Sequence, residues 1–179
     1  MEVRRATDAD AEAISLLHRD VQALHAQGLP HLFRPPNPDS FAADRVRSLV
    51  QSASVRLLIG TLGGAPAGYV FAEIVRQGGS VLRLPLDYLY VNHLAVAPAL
   101  RRRGYGGRLL CAATDLARAE GVAGVALDVW AFNEAARAFY AKHGFAPQQL
   151  RLWRDVPAAP TPAGEGAPVP APPAAGEEA

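Results

Sequence analysis

The chain has 179 residues, half of them apolar, a formal net charge of +1 and a single cysteine. That size suits one domain with a substantial core, and the lone Cys111, set in an apolar run, reads as a core thiol of a reducing compartment and excludes an intramolecular disulfide. The apolar runs fall far short of a membrane span and the start Met1-Glu2-Val3-Arg4-Arg5 lacks a signal-peptide apolar region, so a cytoplasmic protein with no membrane partner is expected.

In chain order, residues 3–6 are a short first strand. Thr7 and Asp10 have the spacing of a capping box, and Ile14, Leu17, Val21 and Leu24 repeat at helical spacing until Gly28-Leu29-Pro30 ends the helix. Ser40 is placed to cap a second helix to about residue 52, with Phe41, Val46, Leu49 and Val50 inward. Residues 55–62 read as a strand and Gly63-Gly64 as a hairpin turn. Strands follow at 67–75 and 87–96, separated by Gly78-Gly79. A long helix over 104–120 stops at Gly121. A fifth strand, 122–129, has Leu127 and Val129 suited to burial. The last helix, 133–143, has Asn133 as N-cap and Gly144 as stop, and 148–156 can form a final strand. Residues 157–179 hold 7 of the 15 prolines and cannot bury enough surface to offset their ordering entropy, so a disordered tail is expected after a domain of residues 1–156.

Chemistry is concentrated where the fourth strand turns into the long helix, Leu94-Ala95-Val96-Ala97-Pro98-Ala99-Leu100-Arg101-Arg102-Arg103-Gly104-Tyr105-Gly106-Gly107-Arg108. Helix-start N–H groups lack intrahelical partners, glycines admit a close ligand, and arginines add charge; together they make a pyrophosphate cradle. The spacing is neither the P-loop's nor the dinucleotide-binding G-x-G-x-x-G. The alternative is a Gly-rich turn with a solvated arginine cluster. The tail carries three glutamates and no cation; removing them from the net +1 leaves +4 on residues 1–156. That modest excess suits a polyanionic small ligand, with no basic stripe for a nucleic-acid partner.

Arg101-x-x-Gly104-x-Gly106 resembles the acetyl-CoA motif of the GCN5-related N-acetyltransferases. A second block, Asn133-x-x-Ala136-x-x-Phe139-Tyr140-x-x-x-Gly144-Phe145, is similar to the closing segment of the same family, in the same order. The likeness covers about residues 1–156. It implies an α/β fold, an α+β sandwich with a mixed central sheet of about six to seven strands and about four helices. Its parallel fourth and fifth strands would splay at a bulge, although no bulge is visible in the sequence. It further implies acetyl-CoA as cosubstrate, held by Leu94, Ala95, Val96, Arg101, Arg102, Arg103, Gly104, Tyr105, Gly106, Gly107, Asn133 and Tyr140, with no metal. Many members dimerise, so a homodimer is allowed.

The reaction implied is direct attack of an amine on the thioester. An alkyl ammonium titrates near 10, so a base must remove its proton, and the thiolate needs a donor. The family places a tyrosine near the cofactor sulfur, matching Tyr140. Its plain alternative is packing. For the base the options are Asp128, another carboxylate such as Glu73 or Asp87, or a water chain ordered by Tyr88, Tyr90 and Asn92. Alternation puts Tyr88, Tyr90 and Asn92 on one face and Asp87 and His93 on the other unless a bulge intervenes. His18 and His25 read as solvated or pocket-rim histidines, and no His/Cys cluster suggests a metal. Phe33, with His31 and Arg34, lies where the family often builds its acceptor pocket. The expected acceptor is a small-molecule amine, with a peptide or protein amine second. A non-catalytic acyl-CoA-binding module and a regulatory nucleic-acid binder are the rivals.

Overall fold

The structure is a computed structural model that describes residues 1–156; the expected disordered tail lies outside the described residues. Residues 1–146 form one compact unit. It holds β1 (Glu2–Arg5), α1 (Ala11–Gly28), α2 (Ala43–Val50), β2 (Val55–Leu62), β3 (Ala65–Gln77), β4 (Leu86–Val96), α3 (Tyr105–Ala119), β5 (Val125–Leu127) and α4 (Glu134–Lys142). The strands make one five-stranded sheet in sequential order, antiparallel except for the parallel β4–β5 pair. The sheet is smaller than the six to seven strands expected among the described residues. Residues 148–156 form no strand, and Leu150, Leu152, Trp153 and Val156 are exposed.

The sheet is covered on both faces. On one, Ile14 of α1 and Val46 and Leu49 of α2 pack on Leu57, Ile59, Tyr69 and Phe71. On the other, Leu109, Ala113 and Ala117 of α3 pack on Leu58, Val70, Leu89 and Val91. Those α3 residues recur at four-residue spacing and make one apolar stripe. Cys111 lies off that stripe and is exposed, which corrects the expectation of a core thiol.

Local chemistry fixes the ends of the elements. Asp10 accepts from the Thr7 N–H at 2.8 Å and the Thr7 hydroxyl at 3.0 Å, and Arg4 adds a two-pronged pair at 2.8 Å. Ser40 does not cap α2. Its hydroxyl instead accepts from the Asn37 N–H at 3.0 Å in the preceding turn, so the helix starts later, with Ala42 as N-cap. Gly63 and Gly64 take φ of +58° and +83°, as a tight hairpin turn requires. β5 is only three residues long, and Val129 falls beyond it at 37% exposed, not in a buried strand.

Candidate active site

The arginine turn links β4 to α3. A single 3-10 turn at Pro98–Leu100 follows β4, and Gly104 caps α3 with φ +83°. A Cβ there would meet nothing within 4 Å, so the space above the turn is open and the glycine serves the backbone conformation. Arg102 takes φ 59° without being glycine, a conformation that costs about 1–2 kcal/mol and marks a position held by its surroundings. Arg102 and Arg103 are exposed. Arg101 folds back instead: its Nε donates to the Val96 carbonyl at 3.1 Å, and Nη2 lies 3.8 Å from Asp20 on α1.

Gly106 and Gly107 have a different reason. A Cβ on Gly106 would lie 3.3 Å from the Phe139 ring, and one on Gly107 would lie 2.9 Å from His143 Nε2. The glycines therefore let α4 close on the first turn of α3, and the two sequence blocks are in contact. Asn133 caps α4, accepting from the Ala136 N–H at 3.1 Å, which leaves its amide N–H groups available. Tyr140 packs edge-on against Phe139 and Phe145, and burial pushes its phenol up to about 12, so it keeps its proton at neutral pH.

Beside this corner the parallel strands separate. Pairing of β4 with β5 runs from Leu89–Val125 to Val91–Leu127 and stops there, while β4 continues to Val96. The β3–β4 register slips at the same level: Phe71 faces His93 and Ala72 faces Val91, so Asn92 is the extra residue of a bulge. The bulge inverts the alternation. Leu89 and Val91 join the α3 side before it, whereas Leu94 and Val96 do so after it. His93 therefore turns to the α1–α2 side with Tyr88, Tyr90 and Asn92. The unbulged alternation, which puts His93 opposite them, does not hold.

On that face Asn92 donates to Glu73 at 3.0 Å. Burial, and then the neighbouring Asp128 carboxylate, push the Tyr90 phenol up to about 12. Asp87 pairs with Arg76 at 2.6 Å near the far end of β4. The face also holds a feature that sequence spacing does not reveal. The buried Tyr69 hydroxyl bridges His18 Nδ1 at 3.0 Å and His93 Nδ1 at 3.2 Å. Burial holds these imidazoles down, His18 to about 4 and His93 to about 3. His18 is thus a core residue, not a solvated one. Phe33 stacks on His25 and borders an open cleft of about 320 Å³ that also touches Gln22, Arg34 and Asp39. Among the described residues, no group of three or more His, Cys, Asp or Glu is arranged to hold a metal, and no helix is long and apolar enough to cross a membrane.

The sequence model described as "Acetyltransferase (GNAT) family" matches residues 20–145. No curated protein matches the chain. Among solved structures, a mutant of the BH1408 protein from Bacillus halodurans is 25% identical, with a TM-score of 0.83, over 87% of this chain and 99% of that one. The aminoglycoside acetyltransferase AAC(6')-Iy, in complex with a bisubstrate analogue of CoA, is 18% identical with a TM-score of 0.65, over 88% and 98% of the two chains. A metagenomic aminoglycoside acetyltransferase from soil, in complex with sisomicin, is 16% identical with a TM-score of 0.62, over 87% and 96%. At these lower identities the likeness is one of fold.

Proposed function

The chain belongs to the GNAT acetyltransferase family, and on that premise we propose that it is an enzyme moving the acetyl group of acetyl-CoA directly to a primary amine of a small molecule. The observation that carries this reading is the parting of β4 and β5 beyond Val91 and Leu127, beside the Asn92 bulge and below the Gly104-capped helix. A parallel pair that separates leaves strand-edge backbone unpaired, which an extended ligand arm can complete as a partner strand would. The complexes of CoA with AAC(6')-Iy support the same ligand for this fold.

In this proposal the pyrophosphate lies on the Arg101–Gly107 turn, where Arg102 and Arg103 supply charge and the first N–H groups of α3, including that of Tyr105, supply donors. Leu94, Ala95 and Val96 line the arm, and Arg101 gives up its bond to the Val96 carbonyl as the arm arrives. Asn133 offers its free amide N–H groups. Bound there, acetyl-CoA supplies an activated acyl carbon and a thiol leaving group. Asp128 takes the proton of the acceptor ammonium, and Tyr88, Tyr90, Asn92 and Phe33 line its approach. A backbone N–H of β4 steadies the developing oxyanion, and Tyr140, protonated at neutral pH, gives a proton to the departing sulfur.

The test is release of free thiol from acetyl-CoA by the purified chain against a panel of small amines, peptides and aminoglycosides. Amine-dependent release with a matching N-acetyl product supports the reading. Tight acetyl-CoA binding with no transfer to any amine makes the chain a non-catalytic binding module. Salt-dependent polynucleotide binding that CoA does not displace returns the arginine turn to nucleic acid.

A further inference from the structure

Four aromatic side chains from α1 and the loops after α1 and β5 pack into one wall. His25 of α1 stacks on Phe33 with ring centroids 5.0 Å apart, and Phe33 meets Trp130 edge-on at 5.3 Å. Phe132 approaches His25 edge-on at 6.5 Å and lies so close to α1 that a Cβ on Gly28 would fall 2.2 Å from its ring. Three segments separate in sequence thus converge: the end of α1, the loop after it, and the loop after β5. A separate ring cluster lies in the core under α1 and α2, with His93 5.2 Å from Phe41 and 4.5 Å from His18. Burial lowers the imidazoles of His18, His25 and His93, so these rings carry no charge at neutral pH.

Asn92 donates to Glu73, and Asp128 is the carboxylate beside Tyr90. An amine with one ammonium needs one anionic partner of the kind Asp128 presents. Trp130 is two residues beyond Asp128 and stays 38% exposed. Two residues of extended chain span at most about 7 Å, a distance that one small molecule covers from a ring to an amine nitrogen.

We propose that the acceptor is a monoamine joined by a short alkyl link to an aromatic ring, with the ring seated on Trp130 and Phe33 and the ammonium at Asp128. The proposal rests on the acetyltransferase reading and names its substrate class. The transfer balances without a further reactant. The ammonium releases one proton through Asp128 to water. The amine N–H and thioester C–S bonds then break, and an amide C–N and a thiol S–H form.

The full chain is assayed with acetyl-CoA and, separately, phenethylamine, tryptamine, spermidine, sisomicin and a peptide with a free N-terminus. The two arylalkylamines are expected to have kcat/KM at least about tenfold above the others, the scale of one or two aromatic contacts. Trp130→Leu and Phe33→Leu, which keep apolar bulk, are expected to raise KM for phenethylamine about tenfold while kcat stays within about twofold, as loss of uniform binding does. Acetyl-CoA affinity is expected to be unchanged in both. Preference for spermidine, sisomicin or the peptide overturns the proposal, as does an unchanged phenethylamine KM in both variants. Wild-type protein that acetylates no amine overturns the acetyltransferase reading itself, an outcome distinct from acetylation of the wrong class.

Discussion

In the proposed mechanism Tyr140 and Asp128 do opposite jobs from opposite environments. Tyr140 is half-buried against Phe139 and Phe145, and that burial keeps its phenol protonated, as a proton donor to sulfur requires. Tyr140→Phe keeps the ring and removes the proton; turnover should fall on the order of a hundredfold while acetyl-CoA affinity holds within a few fold. Equal turnover in a purified assay reduces Tyr140 to packing. Asp128 is exposed at the end of β5, beside Tyr90. In the proposed role, Asp128→Asn removes the acid-side limb of the pH profile of kcat/KM and lowers its plateau on the order of a hundredfold. A limb retained at the same pH hands the proton to a water chain across Tyr88, Tyr90 and Asn92. At this scale the caps Gly104 and Asn133 were readable from spacing, because cap and turn chemistry is local. The hydrogen-bonded set of His18, Tyr69 and His93 was not, because its members are 51 and 24 residues apart and meet only across the folded sheet.

The elements gain their function from how they end. β4 keeps running past its bulge while β5 stops after three residues, and the opening between them is a consequence of that mismatch. α4 then closes on α3 through two glycines. Gly106→Leu should displace Phe139, cost about 1–3 kcal/mol by overpacking, and weaken acetyl-CoA binding, read together by thermal melts and calorimetry. Unchanged stability and affinity would mean that the α3–α4 contact is not part of the cradle. The starts of α3 and α4, the Gly63-Gly64 turn and the span of β2 were legible because capping and hairpin residues act within a few positions, whereas Ser40 was drawn into the preceding turn instead of capping α2. The bulge at Asn92 was not, because it is defined by the partner strand and leaves no mark in β4 alone. The final strand at 148–156 failed for a related reason: apolar spacing states that a strand can form, not that it has a neighbour.

At the scale of the molecule, buried charge-averse groups set the response to acid. His18 and His93 have folded values near 4 and 3, below the ordinary 6.5, so the unfolded chain binds protons first. Their contribution is fully present above about pH 6.5 and is lost as pH falls from there toward 3, by roughly 1 kcal/mol per pH unit for each imidazole. Asp10, held to about 2 first by Arg4, adds a loss only below about pH 4. Denaturant melts should therefore show stability falling already between pH 6.5 and 5, and His18→Gln with His93→Gln should flatten that slope. A slope unchanged by the double variant would show that the imidazoles are solvated. The whole-molecule architecture was legible as an order of elements, and it placed the two motif blocks in one fold before their contact was known. The aromatic wall was not legible, since rings from three segments carry no shared spacing.

The most direct measurement is amine-dependent thiol release from acetyl-CoA by the purified chain, with the N-acetyl product identified by mass. The account predicts release that saturates with a primary amine and falls with Tyr140→Phe and Asp128→Asn. Tight acetyl-CoA binding with no amine-dependent release across the panel would contradict it.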